Sequence, residues 1–182
     1  YDARRRHPLL VLPDGDTDDA DAAFARFAGD PAFADVLLLR PEIDALRDDR
    51  ARFPDAGALA SALTTVEVLR QALVVARLGF AVDPERVMMF GRGRAASLAA
   101  LYAVTFPDDL AAVVLDTAPA GEVRDACLPM LRNLAGVTVR SLHARAASSS
   151  LVEARAMVEA ARATGVDAAL EPYGPDAAVG AS

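Results

Sequence analysis

The pattern that most limits the fold of this chain is an alternation. Short, nearly uninterrupted apolar runs are separated by longer stretches with apolar residues at helical spacing. PLLVLP (Pro8–Pro13) reads as a buried strand and DADAAFARFAG as a helix ending near Gly29. ADVLLLR (Ala34–Arg40) is a second strand, followed by an irregular polar stretch. The longest helix spans Ala58–Leu78, with Leu59, Leu63, Val66, Leu69 and Leu73 on one face and Gly79 closing it. RVMMF (Arg86–Phe90) is strand three, and a helix then runs to about Thr105. AAVVLD (Ala111–Asp116) and GVTVRSLH (Gly136–His143) are strands four and five, separated by a helical segment over Glu122–Leu134. A helix over Leu151–Thr164 leads to strand six, VDAALEPY (Val166–Tyr173). Continuous apolar runs suit strands buried on both faces, so the pattern predicts a doubly wound α/β domain. Its sheet is expected to be mainly parallel and six-stranded, with helices on both faces.

At 182 residues and 53% hydrophobic, the chain is expected to form one domain with one core. Starting at Tyr1, it reads as part of a longer polypeptide. Several chemistries are excluded. A net charge of −7 argues against a nucleic-acid surface. All 19 basic residues are arginine, which removes a P-loop lysine, a Schiff-base lysine and any lysine general base. The one cysteine, Cys127, gives neither a disulfide framework nor a zinc cluster. No uninterrupted apolar run approaches ~18 residues, so no membrane span is expected. Asp14, Asp16 and Asp18 begin like an EF-hand loop, but Asp19 stands where glycine is needed and Ala25 where the bidentate glutamate is needed. No metal or other cofactor is expected.

The segment RVMMFGRGRAAS (Arg86–Ser97) reads as a strand turning sharply into a helix. Such turns carry a nucleophile or cradle a phosphate, yet here the tip is Gly93. GRGRAA also fits G-x-G-x-x-A, the dinucleotide fingerprint, and Asp116 ends the next strand, where an acid could bind ribose hydroxyls. Against that reading, the fingerprint normally follows the first strand, and here two βα units come before it. A third reading uses the helix N-terminus between Arg92 and Arg94 as an anion site.

Three stretches, in order, resemble the α/β-hydrolase superfamily, in particular prolyl-oligopeptidase-like and esterase-like serine hydrolases. YDARRRHPLLVLPDG resembles the entry to the hydrolase domain. VDPERVMMFGRGRAASLAALYAVTFPDDLAAVVLDTAP resembles the nucleophile elbow with its flanking strands. NLAGVTVRSLHARAASSSLVEARAMVEAARATGVDAALEPYG is similar to the segment that carries the catalytic acid. The resemblance implies a trimmed hydrolase fold with strand order 2-1-3-4-5-6, lacking the N-terminal hairpin and the last helix.

It also implies a degenerate triad. With Gly91 on the first glycine of G-x-S-x-G, Gly93 falls on the serine and Ala95 on the last glycine. The stretch matching the acid, His143–Ser150, has no carboxylate, and no histidine follows Tyr173. Pro13-Asp14 replaces the His-Gly of the oxyanion loop, although Gly15 follows. Ser97 lies a turn into its helix, and Ser150 with Glu153 fits a capping box. His143 reads as packed, Cys127 as a buried thiol and His7 as solvated.

The sequence therefore predicts a catalytically silent hydrolase-like domain, with no catalytic residue and a protein partner or neighbouring domain of the same polypeptide. Two alternatives stay open. One is an active hydrolase completed unconventionally or from outside the chain. The other is a dinucleotide-binding domain.

Overall fold

The computed structural model describes residues 2–13, 17–41, 58–119, 121–144 and 148–173. Its elements in chain order are β1 (His7–Val11), α1 (Thr17–Gly29), β2 (Leu37–Leu39), α2 (Ala58–Gly79), β3 (Val82–Arg92) and α3 (Arg94–Thr105). They continue with β4 (Ala112–Asp116), α4 (Gly121–Cys127), β5 (Thr138–Ala144), α5 (Ser148–Ala163) and β6 (Ala168–Tyr173). The strands form one six-stranded sheet in the order β2-β1-β3-β4-β5-β6, with every pair parallel. Class, strand count and order are those expected from the sequence.

Helices lie on both sides. Gly91 touches the backbone of α3 on one face, with Leu9, Val87, Met89, Leu115 and Val139 buried. On the other face, Phe27 of α1 meets Phe90 edge-on, with ring centroids 5.3 Å apart. Burial is nevertheless uneven. Strand β1, second in the sheet, is buried along its whole length, whereas β5 alternates between buried and half-buried positions. On the Phe90 side, Ala112, Val114, Arg140 and Ala169 are half-buried. The apolar runs in β4 to β6 therefore overstate how much of that face is covered among the described residues.

The longest helix, α2, packs Val66, Leu69 and Leu73 fully into the core, each worth roughly 1.5–3 kcal/mol in burial. By length and composition alone its residues Leu59–Gly79, with mean hydropathy 1.4, could cross a membrane. Only about a third of that stretch is buried: Leu63, expected on the packed face, is exposed, as are Val74, Val75 and Leu78, so the buried stripe accounts for part of the helix's apolarity. In α3, Ala95, Ala96, Ala99, Ala100 and Ala103 are all buried, so small side chains let the helix lie close against the sheet.

Several boundaries differ from the sequence reading, each for a local reason. Strand three begins at Val82 rather than Arg86. Its register with β1 slips between His7↔Val82 and Leu9↔Val87, around Pro84, which has no N–H to donate. The Glu122–Leu134 segment is not one helix. It is α4 followed by a 3₁₀ segment over Leu128–Leu134, with Pro129 near its start. Helix α5 starts at Ser148, so Ser150 stands inside the first turn, not at the cap expected of it. His7 is not solvated: it is 4% exposed, because residues 2–6 turn back over it.

Candidate functional site

The geometry at the end of β3 follows from its two glycines, which serve different ends. A Cβ on Gly91 would lie 2.2 Å from the carbonyl oxygen of Ala95 and 2.7 Å from Cα of Ala96. Only glycine lets α3 start so close to the strand. Gly93 has φ +56° and ψ −123° and caps α3, and a Cβ built there meets nothing within 4 Å. This is a sharp strand-to-helix turn whose tip projects into open space. The Gly93 N–H donates to the backbone carbonyl of Asp116 at 3.2 Å, and the Gly93 carbonyl accepts from Ala96 N at 3.1 Å. Ala95 is buried under the turn at 6% exposure.

The turn lies at the carboxyl edge of the sheet. It is next to the point between β1 and β3 where strand order reverses and doubly wound sheets open a crevice. Pairing of Arg92 with Asp116 brings those two residues side by side. Arg92 Nε lies 3.5 Å from Oδ2 of Asp116. Tyr173 donates its hydroxyl to Oδ1 of Asp116 at 2.9 Å. Loss of hydration at this edge, and then the bond to the Asp116 carboxylate, push the Tyr173 hydroxyl above the usual tyrosine range. Arg92 and Arg94 are exposed, while Asp116 is buried. Thr117, just after β4, has φ +104°, an unusual conformation for a β-branched residue.

The set Arg92, Gly93, Arg94 and Asp116, expected as a ligand site, is thus gathered at one edge, but two of its members face each other. The sequence reading missed Tyr173. The available signal was an aromatic residue ending the last parallel strand, at the same edge as the elbow.

His143 is 1% exposed and packed, as expected, with Nδ1 3.1 Å from the carbonyl oxygen of Ala144. Its Nε2 and Oγ of Ser141 are buried without a hydrogen-bond partner among the described residues. No serine or carboxylate among those residues hydrogen-bonds to His143. Cys127 is buried away from this edge, and the apolar surroundings push its thiol up to about 12. No cluster of three His, Cys, Asp or Glu side chains suited to a metal occurs among the described residues. Asp14 and Gly15 of the would-be oxyanion loop, residues 145–147 and the tail beyond Tyr173 lie outside the described residues, as do the side chains of Asp18 and Ser148–Ser150.

No protein-family model and no curated protein matches the sequence. Solved structures do match. A thermostable esterase superposes with TM-score 0.69 at 14% identity, covering 95% of this chain and 48% of that one. A CE15 glucuronoyl esterase from Teredinibacter turnerae gives TM-score 0.70 at 11% identity, over 97% of this chain and 64% of that one. Esterase PE8 gives TM-score 0.65 at 16% identity, over 98% and 88%. The chain thus spans about half of the first esterase and just under two thirds of the second. Sheet order, sharp glycine turn and these superpositions together give the chain an α/β-hydrolase fold.

Proposed function

We propose that this domain keeps the hydrolase scaffold without the serine-hydrolase reaction and works as a partner- or ligand-binding module of a larger protein. The observation that carries this reading is Gly93. A hydrolase elbow holds its nucleophile at a strained backbone position, with the reactive oxygen exposed above the sheet. Here that position has positive φ and room for a side chain, but it carries none. A non-glycine residue held there costs on the order of 1–3 kcal/mol in strain, which glycine avoids. Strand, turn and helix persist because the packing of α3 on the sheet depends on them.

Nor do the described residues offer a base: His143 lies in β5 in the buried layer, with Nδ1 3.1 Å from the carbonyl oxygen of the next residue, Ala144. The esterases that superpose on this chain share its fold at low identity and lend it no substrate.

Incubation with a fluorophosphonate probe, beside a panel of p-nitrophenyl esters, tests the reading directly. The expected result is no covalent adduct and no turnover above buffer. Labelling of one serine, abolished when that serine is changed to alanine, overturns the proposal and restores the active hydrolase. Micromolar NAD or NADP binding that is lost in Gly93→Val overturns it in favour of a dinucleotide site.

A further inference from the structure

At the edge of the sheet opposite Gly93, the first residue of β1 is enclosed. His7 is 4% exposed, and its main-chain N–H is fixed to Ala81 O at 2.8 Å. Its two ring nitrogens reach in different directions. Nε2 lies 2.8 Å from the carbonyl oxygen of Asp2, on the N-terminal arm. Nδ1 lies 3.2 Å from the carbonyl oxygen of Asp35, in the turn before β2. Carbonyl oxygens only accept, and a neutral imidazole has one N–H to give. A neutral ring can satisfy one of these contacts and must turn a lone pair toward the other. An imidazolium satisfies both.

We propose that His7 is a proton-controlled clasp: with both ring nitrogens protonated it ties the arm, residues 2–6, to the turn before β2, and loss of one proton loosens the arm. Charged groups sit on both segments that His7 ties, Asp2 and Arg5 on the arm and Asp35 in the turn before β2. Arg5 is ion-paired with Asp35, and that pairing holds the Asp35 carboxylate below the usual range. The neighbouring residues of β3 and its approach, Ala81 and Val82, carry no charge. A cleft of about 440 Å³ opens here, lined by Asp2, Arg5, His7 and Asp35.

An ordinary imidazole changes charge between about pH 5 and 8, which sets the span the test must cover. The sign is fixed by the geometry: the arm is held at low pH and released as pH rises.

The arm carries its own reporter, because Arg4, Arg5 and Arg6 are trypsin sites. Cleavage there is measured at about pH 5.5 and about pH 8, each rate divided by that of a free peptide of the arm sequence at the same pH. The expected normalised rate is about tenfold faster at the higher pH, the effect of losing one charge-assisted hydrogen bond. In His7→Gln the two normalised rates should be equal. Equal rates in the unmutated chain, or the same ratio in His7→Gln, overturn the proposal. Long-range proton–nitrogen spectra of the unmutated chain give a second reading without any variant. A neutral His7 ring in a chain whose arm is still protected also overturns it.

Discussion

Two glycines two residues apart should respond to alanine unequally, for different reasons, and the difference can be worked out from the turn. In Gly91→Ala the new methyl would meet the carbonyl oxygen of Ala95 at 2.2 Å, its carbon at 2.5 Å and Cα of Ala96 at 2.7 Å. All three are backbone atoms, so no rotamer change relieves the contact. Helix α3 must move off the sheet, and it carries nine buried residues, including Leu98, Leu101 and Tyr102. Overpacking a well-filled core costs roughly 1–3 kcal/mol, and a backbone-on-backbone clash belongs at or above the top of that range. In Gly93→Ala the methyl enters open space, and the cost is the positive φ alone, roughly 1–2 kcal/mol. For a domain of this size each kcal/mol lowers Tm by about 2–4 °C. Gly91→Ala is therefore expected to lose about 6–12 °C or more, and Gly93→Ala about 2–8 °C. Far-UV circular dichroism followed through thermal and urea melts measures both, which suits a chain without tryptophan. Equal losses, or a larger loss at Gly93, would refute the two roles assigned to the glycines.

Two other sites give sharp expectations. Asp109 accepts from Arg77 at 2.7 Å and from the buried Tyr102 hydroxyl at 3.1 Å, and Arg70, stacked 4.3 Å over Phe106, lies 3.6 Å away. Asp109→Ala leaves these donors without their acceptor and should cost about 2–4 kcal/mol in urea unfolding, with Asp109→Asn costing less. A loss below about 0.5 kcal/mol would show that the cluster does not tie α2 to α3. Cys127, with its thiol pushed up to about 12 by burial, should resist alkylation in the folded chain at neutral pH and react fully in denaturant. The folded state then holds the thiol proton more tightly than the unfolded state. This contribution is constant below the ordinary thiol value of 9.0 and falls as pH rises through that value toward 12, and Cys127→Ala should remove that fall.

Most of the fold could be read from the sequence because the chain states it locally. Each parallel strand is an apolar run of a few residues, each helix has its own stripe, and right-handed crossovers leave few ways to order them. Errors arose where one residue changed local geometry. Strand β3 runs through Pro84 with a slip in register there, and Pro129 stands where α4 gives way to a 3₁₀ segment. Uneven cover on the Phe90 side was invisible because an apolar residue looks the same in sequence whether or not a helix lies over it. Of the site, the sequence revealed Gly91, Gly93 and Ala95 through a motif spaced two residues apart. It did not reveal the Tyr173–Asp116 contact, which joins residues 57 apart across the end of β5. His7 was misread for the same reason: the groups that enclose it, Asp2 and Asp35, are brought together only by the return of β2 beside β1.

A glycine turn after a parallel strand serves a nucleophile elbow and a dinucleotide cradle equally well, so the turn itself cannot divide the two readings. The distinction lies across the crevice, at the end of β4. A cofactor site needs the carboxylate there open to two ribose hydroxyls. Asp116 instead accepts the Tyr173 hydroxyl on one oxygen and has Arg92 Nε 3.5 Å from the other, with its side chain only 12% exposed. A ribose would have to displace a half-buried, charge-assisted hydrogen bond before gaining its own, a cost of about 1–2 kcal/mol. The elbow of a hydrolase makes no such demand on that acid, since its chemistry depends on the side chain at the tip. The same feature that disfavours a cofactor thus leaves Gly93 as the position that decides the matter, and glycine has no atom with which to react.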